Sequence, residues 1–342
     1  MISRPFPQSR MRRLRKHSWL RSLTQEHILS VQDLILPLFV HAHSHSSPID
    51  TLPGVMRHSI DDLVTVCREA AKLGIPAVAL FPVINNDQKD ALGSEAYRED
   101  NLMAQAIAAI RTHELNLGII CDCALDPYTD HSHDGVLQSD GDVDNDRTIA
   151  LLAKQAISLA RAGADIIAPS DMQDGRIGAI RKALDAEGFQ EISILSYTAK
   201  YASSFYGPFR DAVGAQGLQS GQYPNQKPDK QTYQMQPGNR LEATHIATQH
   251  LAEGADCLMV KPAMPYLDVL LQLTESSQAP VFAYQVSGEF AMLHHYATAM
   301  QADFIKILHE SLIGCKRAGA RAILTYGGLE MAKHLHRSPS KP

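Results

Sequence analysis

The stretch AEGADCLMVKPA, residues 252–263, decides the fold class, because its first part ends a helix and its second part is a short apolar strand. Glycine just past a helix can adopt the left-handed conformation that stops the helix. The same phrase recurs as KLGIPAVAL at 72–80, RAGADIIAP at 161–169 and RAGARAILT at 317–325. Helix, glycine and buried strand in repeated succession predict an α/β fold with a parallel sheet.

Short apolar or β-branched runs recur along the whole chain, and stretches with apolar residues at helical spacing lie between most of them. These runs span 34–40, 77–83, 117–124, 165–170, 193–198, 257–263, 281–286 and 322–327. Such a set of strands fits a closed (β/α)8 TIM barrel better than an open doubly wound sheet. No G-x-G-x-x-G follows the first run, which disfavours a dinucleotide-binding sheet. We therefore predict a (β/α)8 TIM barrel.

Composition and charge narrow the function classes. The chain has 342 residues, of which 44% are hydrophobic and 20% charged, and a formal net charge of −5. This charge gives no support for a nucleic-acid partner. No apolar run approaches the roughly 20 residues that cross a bilayer, so we expect no membrane partner. Five cysteines without a signal peptide indicate reduced thiols, and we predict a cytoplasmic small-molecule enzyme.

Two segments depart from the repeating pattern. Residues 1–30 carry seven arginines and lysines before the first acid, Glu26, and predict an extended basic arm that assembles subunits. Residues 31–342 would then form the catalytic barrel. Within it, the connection at about 201–230 is long, contains aromatic residues and has little helical period, so we predict an active-site lid there.

The carboxyl ends of barrel strands face the active site, so side chains there are candidates for chemistry. The candidates are Asp126, Ser170, Asp171, Lys200, Lys261, Ser287 and Tyr326. Two lysines thus meet at one mouth, where burial and mutual repulsion favour a neutral amine that can attack a carbonyl. A lysine that snorkels to solvent is the alternative for Lys261. Arg210 in the lid could clamp a carboxylate, with a surface salt bridge as its alternative.

Several long blocks together identify a family. They are PSDMQDGRIGAIR (169–181), SYTAKYASSFYGPFRDA (196–212), YQMQPGNRLEA (233–243), MVKPAMPYLD (259–268) and YQVSGEFAM (284–292). With these blocks the chain resembles the porphobilinogen synthase family, also called 5-aminolevulinate dehydratase, from about Arg12 to Tyr326. The resemblance implies a (β/α)8 barrel with an N-terminal arm, homo-octamers, and condensation of two 5-aminolevulinate molecules into porphobilinogen with loss of two waters.

The resemblance also implies a role for each matching residue. Lys261 matches the lysine that forms a Schiff base with the first substrate, and Lys200 matches the lysine that engages the second. The hydroxyls of Ser287 and Tyr326 match groups that bind the first carboxylate. The second carboxylate is implied to bind Arg210, Lys230 and Gln234. The surrounding active-site residues are implied to be Asp126, Asp134, Ser170, Asp171 and Phe209.

The stretch ALDPYTDHSHDG, residues 124–135, departs from the zinc-dependent members of the family, which have three cysteines around it. This chain has Ala124, Asp126 and Asp134 there. The nearby Cys121 and Cys123 share the opposite face of an extended strand, so we expect them to pack behind it as buried thiols.

Other candidate metal ligands are weaker. Loop residues His131 and His133 could ligate a metal, but plain surface residues are the favoured interpretation. A glutamate that binds regulatory magnesium in many members aligns with Ile246, which cannot coordinate a cation. We expect no organic cofactor and no catalytic zinc, and we leave magnesium or a monovalent cation open.

Two alternatives to this function remain. One is another Schiff-base lyase of the class I aldolase type on the same barrel, which needs one buried lysine but not two carboxylate-binding sets. The other is a catalytically dead barrel kept for assembly or regulation, which the presence of both lysines disfavours.

Overall fold

The computed structural model describes residues 5–215, 217–219, 223 and 225–337. Its strands are β1 Leu34–His41, β2 Ser47–Pro48, β3 Met56–His58, β4 Ala77–Val83, β5 Gly118–Cys123, β6 Ile166–Pro169, β7 Ser193–Lys200, β8 Cys257–Lys261, β9 Val281–Tyr284 and β10 Ala322–Leu324. Without the small β2–β3 hairpin, the strands pair in parallel in chain order. The sheet closes where Leu34 and Ile35 of β1 pair with Ile323 and Leu324 of β10. The predicted TIM barrel is confirmed.

Helices surround this barrel. They are α1 Ser18–Leu23, α2 Ile60–Lys72, α3 Leu102–Arg111, α4 Asn145–Ala162, α5 Arg176–Ala186, α6 Gly207–Ala212, α7 Leu241–Ala252, α8 Leu267–Ser276, α9 Ser287–Met300, α10 Phe304–Arg317 and α11 Gly328–Arg337. Most of them bury one apolar face against the strands. In α2, for example, Leu63, Val64, Cys67 and Ala70 are buried.

The recurring glycine phrase performs the turn that its sequence predicts. Gly74, Gly163, Gly254 and Gly319 have φ values of 74°, 107°, 103° and 97°. An L-residue with a side chain rarely adopts such values, whereas glycine does so at little cost. Each glycine therefore ends a helix and turns the chain into the next buried strand.

The predicted strands agree with the observed ones to within a few residues at their ends. The largest difference is in the last unit, where 322–327 is predicted and β10 ends at Leu324. The chain leaves the sheet there because α11 begins at Gly328. Tyr326 consequently lies in the strand-to-helix turn at the mouth of the barrel.

The N-terminal segment lies outside the barrel core. It forms a short 3-10 turn, Met11–Arg15, without buried residues, and then α1. The apolar side chains of Trp19, Leu23 and Ile28 are mostly exposed. Of the helices that the structure describes, none combines the length and apolar character needed to span a membrane.

The predicted lid segment covers the carboxyl end of the barrel. Its described part contains a 3-10 turn, Ser204–Tyr206, followed by α6. At Gly288 of α9 the lid comes very close, because a Cβ built there would lie 2.5 Å from the Phe205 carbonyl oxygen. Only glycine permits this approach. Residues 216, 220–222 and 224 of the predicted lid lie outside the described residues.

Candidate active site

The side chain of Lys261 ends inside a cage of four aromatic rings. Its Nζ lies 4.6 Å from the ring centre of Tyr284, 5.0 Å from Phe209, 5.1 Å from Tyr197 and 5.4 Å from Tyr206. The residue is only 5% exposed, so it does not snorkel into solvent. The faces of aromatic rings attract a cation, but they stabilise its charge far less well than water does.

This enclosure changes the proton affinity of the amine. Burial, followed by repulsion from Lys200, lowers the pKa of Lys261 from its ordinary 10.5 to about 7. Asp122, Asp126 and Asp134 act in the opposite direction but do not cancel these effects. A large fraction of the amine is therefore neutral near pH 7, which is the form that attacks a ketone.

The second lysine, Lys200, is held differently. It ends β7 beside Lys261, its register partner on β8. Its Nζ donates to the carbonyl of Ser170 and lies 3.3 Å from Asp134 Oδ1. The two lysines thus have unlike environments, because the first is enclosed by rings and the second by oxygen atoms.

Asp134 also binds Lys230, whose Nζ lies 2.7 Å from Asp134 Oδ2 and 3.0 Å from Asp126 Oδ2. Burial alone would raise the pKa of Asp134, but the charges of Lys200 and Lys230 outweigh burial and hold this pKa well below its usual range. Burial opposes the charge of Lys230, yet Asp126 and Asp134 raise its pKa. Lys230 and Asp134 are therefore both charged at neutral pH.

A small cavity joins these groups. It measures about 30 Å³, whereas sites for small organic ligands usually measure ~300–1,000 Å³. The geometry is thus that of a closed site, and α6 would have to move for substrates to enter. The residues that line the cavity are Asp122, Asp126, Ser170, Lys200, Tyr206, Phe209, Arg210, Lys230, Gln234 and Lys261.

Two groups in this lining have unused hydrogen-bonding capacity. Arg210 forms no ion pair within the part of the chain that the structure describes, so the surface salt bridge considered as its alternative role is not present there. Gln234 is 4% exposed, and its Oε1 has no hydrogen-bond partner among the described residues. The guanidinium can bind a carboxylate, and so can the –NH₂ of the Gln234 amide, whereas the Gln234 oxygen can only accept a hydrogen bond.

Ser287 and Tyr326 do not line the cavity, but each contacts a ring of the Lys261 cage. The Ser287 Oγ accepts a hydrogen bond of 2.9 Å from the backbone N–H of Phe209. The hydroxyls of Tyr326 and Tyr284 are 3.0 Å apart. These predicted carboxylate-binding groups therefore lie next to residues of the Lys261 cage.

Asp171 is not brought into the cavity, although its neighbour Ser170 is. The carboxylate is fully buried and its Oδ2 lies 3.4 Å from Nε of Arg176, which is 2% exposed. Burial, partly offset by Arg176, raises the pKa of Asp171 to about 6. Its Oδ1 accepts from the backbone N–H of Gln173. Asp171 supports the backbone around Ser170 and does not reach the cavity.

The donors around 124–135 do not fit a zinc ion. Ala124 offers no ligand atom, and the oxygens of Asp126 and Asp134 already contact the ammonium of Lys230. Cys123 points behind β5, where its Sγ lies 3.4 Å from Gln155 Oε1 on α4. Within the described residues, no three His, Cys, Asp or Glu side chains form a group that could hold a metal ion.

The expectation that His131 and His133 are surface residues is wrong. Both are fully buried, because Tyr223 and Tyr233 pack against their rings. Burial lowers the pKa of His131 to about 4 and also lowers the pKa of His133. The ring nitrogens of His133 lie 3.0 Å from the Tyr233 hydroxyl and from the Lys227 carbonyl, so they have partners without a metal.

Sequence reasoning missed Asp122 and three tyrosines of the cage. Asp122 lies between Cys121 and Cys123, so the alternation that turns those thiols outward turns Asp122 into the barrel. Burial, followed by repulsion from Asp126, raises the pKa of Asp122 to about 7. Side chains also alternate between the two faces of β7 and β8, which end at Lys200 and Lys261. This alternation does not predict which aromatic side chains converge on one amine.

Comparison with known proteins agrees with this geometry. The model of the family "Delta-aminolevulinic acid dehydratase" matches residues 8–334.

The chain belongs to the delta-aminolevulinic acid dehydratase family.

A delta-aminolevulinic acid dehydratase from Bradyrhizobium diazoefficiens is 46% identical over 327 residues, which cover 95% of this chain and 90% of that protein. A chloroplastic delta-aminolevulinic acid dehydratase from Glycine max is 45% identical and covers 95% of this chain and 77% of its own length. The relative from Rhodobacter capsulatus is 43% identical, with 97% and 98% covered.

Solved structures give the same assignment. Delta-aminolevulinic acid dehydratase (porphobilinogen synthase) from Toxoplasma gondii ME49, crystallised with the reaction product porphobilinogen, has a TM-score of 0.93 and 45% identity. The match covers 98% of this chain and 93% of that chain. As a member of the delta-aminolevulinic acid dehydratase family, the chain is a lyase with the family's TIM-barrel fold.

Proposed function

We propose that the chain condenses two molecules of 5-aminolevulinate into porphobilinogen and two waters, and that Lys261 and Lys200 are the lysines that carry the reaction. The observation that supports this most strongly is the caged amine of Lys261, which burial keeps partly neutral, next to a second lysine whose Nζ lies 3.3 Å from the carboxylate of Asp134. A reaction between two like substrates needs two unlike subsites, and this pair provides them.

The first substrate binds at Lys261. The neutral amine adds to the keto carbon, and loss of one water gives an iminium that acidifies the neighbouring C–H bonds. The hydroxyls of Ser287 and Tyr326, which adjoin Phe209 and Tyr284 of the cage, would hold the carboxylate of this substrate. Fixing both ends of the molecule presents one carbon atom to the second substrate.

The second substrate binds on the side of Lys200. Its carboxylate would pair with the guanidinium of Arg210 and accept from Lys230, while the amide N–H of Gln234 donates to it. Lys230 can shift from Asp126 and Asp134 toward the substrate because Lys230 itself lines the cavity, as Asp126 does. Lys200, held by Asp134, lies where it can engage the second keto group.

Asp122 is a further candidate for this chemistry. Its Oδ1 has no hydrogen-bond partner among the described residues, and its pKa of about 7 allows it to give or take a proton at neutral pH. The carboxylate lines the same cavity as the two lysines. It can therefore accept a hydrogen bond from a substrate ammonium or move a proton during carbon–carbon bond formation.

Trapping with borohydride tests the assignment of Lys261. Hydride reduces the iminium to a stable secondary amine, so peptide mapping should find 5-aminolevulinate on Lys261, and Lys261→Met should abolish pyrrole formation. Lys182→Met, on an exposed position of α5, is the matched control and should behave as the unchanged chain. Labelling confined to other lysines, or turnover by Lys261→Met, would contradict the proposal.

The same experiment separates the alternatives. A class I aldolase-type lyase would form the lysine adduct but no pyrrole, and a dead barrel would form neither. Both alternatives leave the second set of groups around Lys200 without a role, which is why we do not favour them.

Assembly and location complete the proposal. We infer that the arm at residues 1–30 joins subunits into a homo-octamer, because Trp19, Leu23 and Ile28 expose apolar area that a second copy would cover. Light scattering of the full chain and of a chain without residues 1–30 tests this, and an octamer that survives the deletion would contradict it. We place the enzyme in the cytoplasm, which cell fractionation can check.

A further inference from the structure

We propose that Glu289 is a positioning residue that sets the spacing between the amine of Lys261 and the carboxylate-binding hydroxyl of Ser287. Glu289 lies in the first turn of α9 and is fully buried. Its carboxylate accepts hydrogen bonds from the backbone N–H groups of Val286 at 2.6 Å, Ala263 at 3.3 Å and Met264. The inference deepens the proposed function of the same site and depends on it.

These three amides belong to two different loops. Ala263 and Met264 follow Lys261 at the end of β8, whereas Val286 precedes Ser287 at the end of β9. One side chain thus connects the loop that carries the reactive amine to the loop that carries the carboxylate-binding hydroxyl. Sequence separation makes this connection non-local, because Ala263 and Glu289 are 26 positions apart in the chain.

The negative charge of Glu289 is needed for this arrangement. A carboxylate has two oxygens that only accept, and here they face three donors. Within the described residues Glu289 forms no ion pair, so the amides and the N-terminus of α9 are what stabilise its charge. Burial raises the pKa of Glu289 to about 7 despite these hydrogen bonds. A buried charge is costly, which argues for a role beyond capping a helix.

The other contacts of the two loops lead back to the Lys261 cage. The carbonyl of Lys261 accepts from the Tyr206 hydroxyl at 3.1 Å and from the Tyr201 N–H at 3.0 Å. Ser287 accepts from the N–H of Phe209, whose ring lies over Lys261. The hydrogen bonds of Glu289 therefore complete a ring of contacts around the site at Lys261. A shift of Glu289 would move the amine of Lys261 relative to the hydroxyl of Ser287.

The positioning role of Glu289 can be tested with two ketones, of which only one carries a carboxylate. 4-Oxopentanoate has the keto group and the carboxylate of the substrate, whereas 2-pentanone has the ketone alone. With borohydride present, the unchanged chain should trap 4-oxopentanoate on Lys261 much faster than 2-pentanone. In Glu289→Gln the amide –NH₂ would face backbone donors, so the loops should move apart. We expect the ratio of the two trapping rates to fall at least about tenfold, since a displacement of ~1 Å can cost ~10²-fold in rate.

Two further variants make the test decisive. Asp303→Ala removes a side-chain cap from α10, where Asp303 accepts from Ile305 N–H, and should lower stability without changing the ratio. Glu289→Asp keeps the charge on a shorter side chain and should give an intermediate ratio, which also serves if Glu289→Gln does not fold. A ratio unchanged in both Glu289 variants overturns the inference. If the unchanged chain traps neither ketone on Lys261, the proposed function itself is wrong.

Discussion

Lys200 ends β7 directly opposite Lys261, which ends β8, so the two lysines are register partners on neighbouring parallel strands. Parallel pairing of strand ends places their side chains at one mouth. Lys200 has the carboxylate of Asp134 as a close partner, whereas Lys261 has aromatic rings. The register therefore creates an asymmetric pair in which a charged lysine lowers the pKa of its neighbour.

The first prediction concerns pH. With a pKa of about 7, Lys261 loses its neutral form as pH falls below 7, so the rate of borohydride trapping should fall about tenfold per unit there. Lys200→Met removes a repelling charge, so the pKa of Lys261 should rise and the midpoint should move to higher pH. The exposed-site variant Lys182→Met should leave the midpoint of the pH dependence unchanged. A midpoint that does not move in Lys200→Met would contradict the interaction.

The second prediction concerns stability and pH. Between about 7 and 10.5 the unfolded chain holds a proton on Lys261 that the folded chain has released, so this group makes folding more favourable as pH rises through that window. Below pH 7 both states bind the proton and the folded state carries the full cost of a buried charge. Denaturant unfolding of the unchanged chain and of Lys261→Met should show a difference that shrinks as pH rises from 7. A constant difference would argue against a buried, neutralised amine.

The third prediction concerns Arg210. Arg210→Ala should raise the substrate concentration needed for half-maximal rate far more than it changes the melting temperature, because the guanidinium has no ion pair to lose among the described residues. Loss of a charge-assisted pair with a carboxylate costs about 1.5–3 kcal/mol of binding. Arg210→Lys keeps the charge but lacks the two-pronged guanidinium. Its half-saturating substrate concentration should therefore lie between those of the unchanged chain and of Arg210→Ala. A large drop in melting temperature with unaltered kinetics would support a structural role.

The fourth prediction concerns the anchor of the lid. Arg57 donates from Nε to the Ala212 carbonyl at 2.8 Å and from Nη2 to the Asp211 carbonyl at 2.9 Å, which fixes the end of α6. Arg57→Ala should loosen α6, raise the half-saturating substrate concentration several-fold and speed tryptic cleavage after Arg210. Arg68→Ala on the exposed side of α2 is the control. Equal cleavage rates in both variants would show that the hairpin does not hold the lid.

The fifth prediction concerns metals. We expect activity to survive dialysis against a zinc-selective chelator, because zinc prefers thiolate and imidazole ligands and Ala124, Asp126 and Asp134 provide none. Magnesium should stimulate weakly or not at all, since Ile246 offers no oxygen. Separate additions of zinc and magnesium after dialysis check both statements. Rescue by micromolar zinc would reveal a thiol or histidine site, and strong rescue by magnesium would reveal another oxygen cluster.

Local sequence patterns determined the barrel. Each recurring glycine has a positive φ and is followed by an apolar run, and both features depend only on nearby residues. The glycines therefore predicted where each helix ends and each strand begins. The sequence likewise predicted that Lys261 lies at the end of such a run. The alternation within β5 predicted that Cys123 packs behind the strand, where its Sγ lies against α4, and the same alternation turns Asp122 inward.

Only the tertiary structure decided what surrounds those side chains. Lys230 meets Asp126 although 103 residues separate them in the chain, and Glu289 joins two loops that no local pattern connects. His131 and His133 are buried because tyrosines from a distant segment cover them. A strand or a turn depends on neighbours a few residues away, whereas burial, charge pairing and the resulting pKa depend on every strand that meets at the mouth. The sequence thus determined the scaffold and its lysines, and the assembled barrel determined which lysine is neutral.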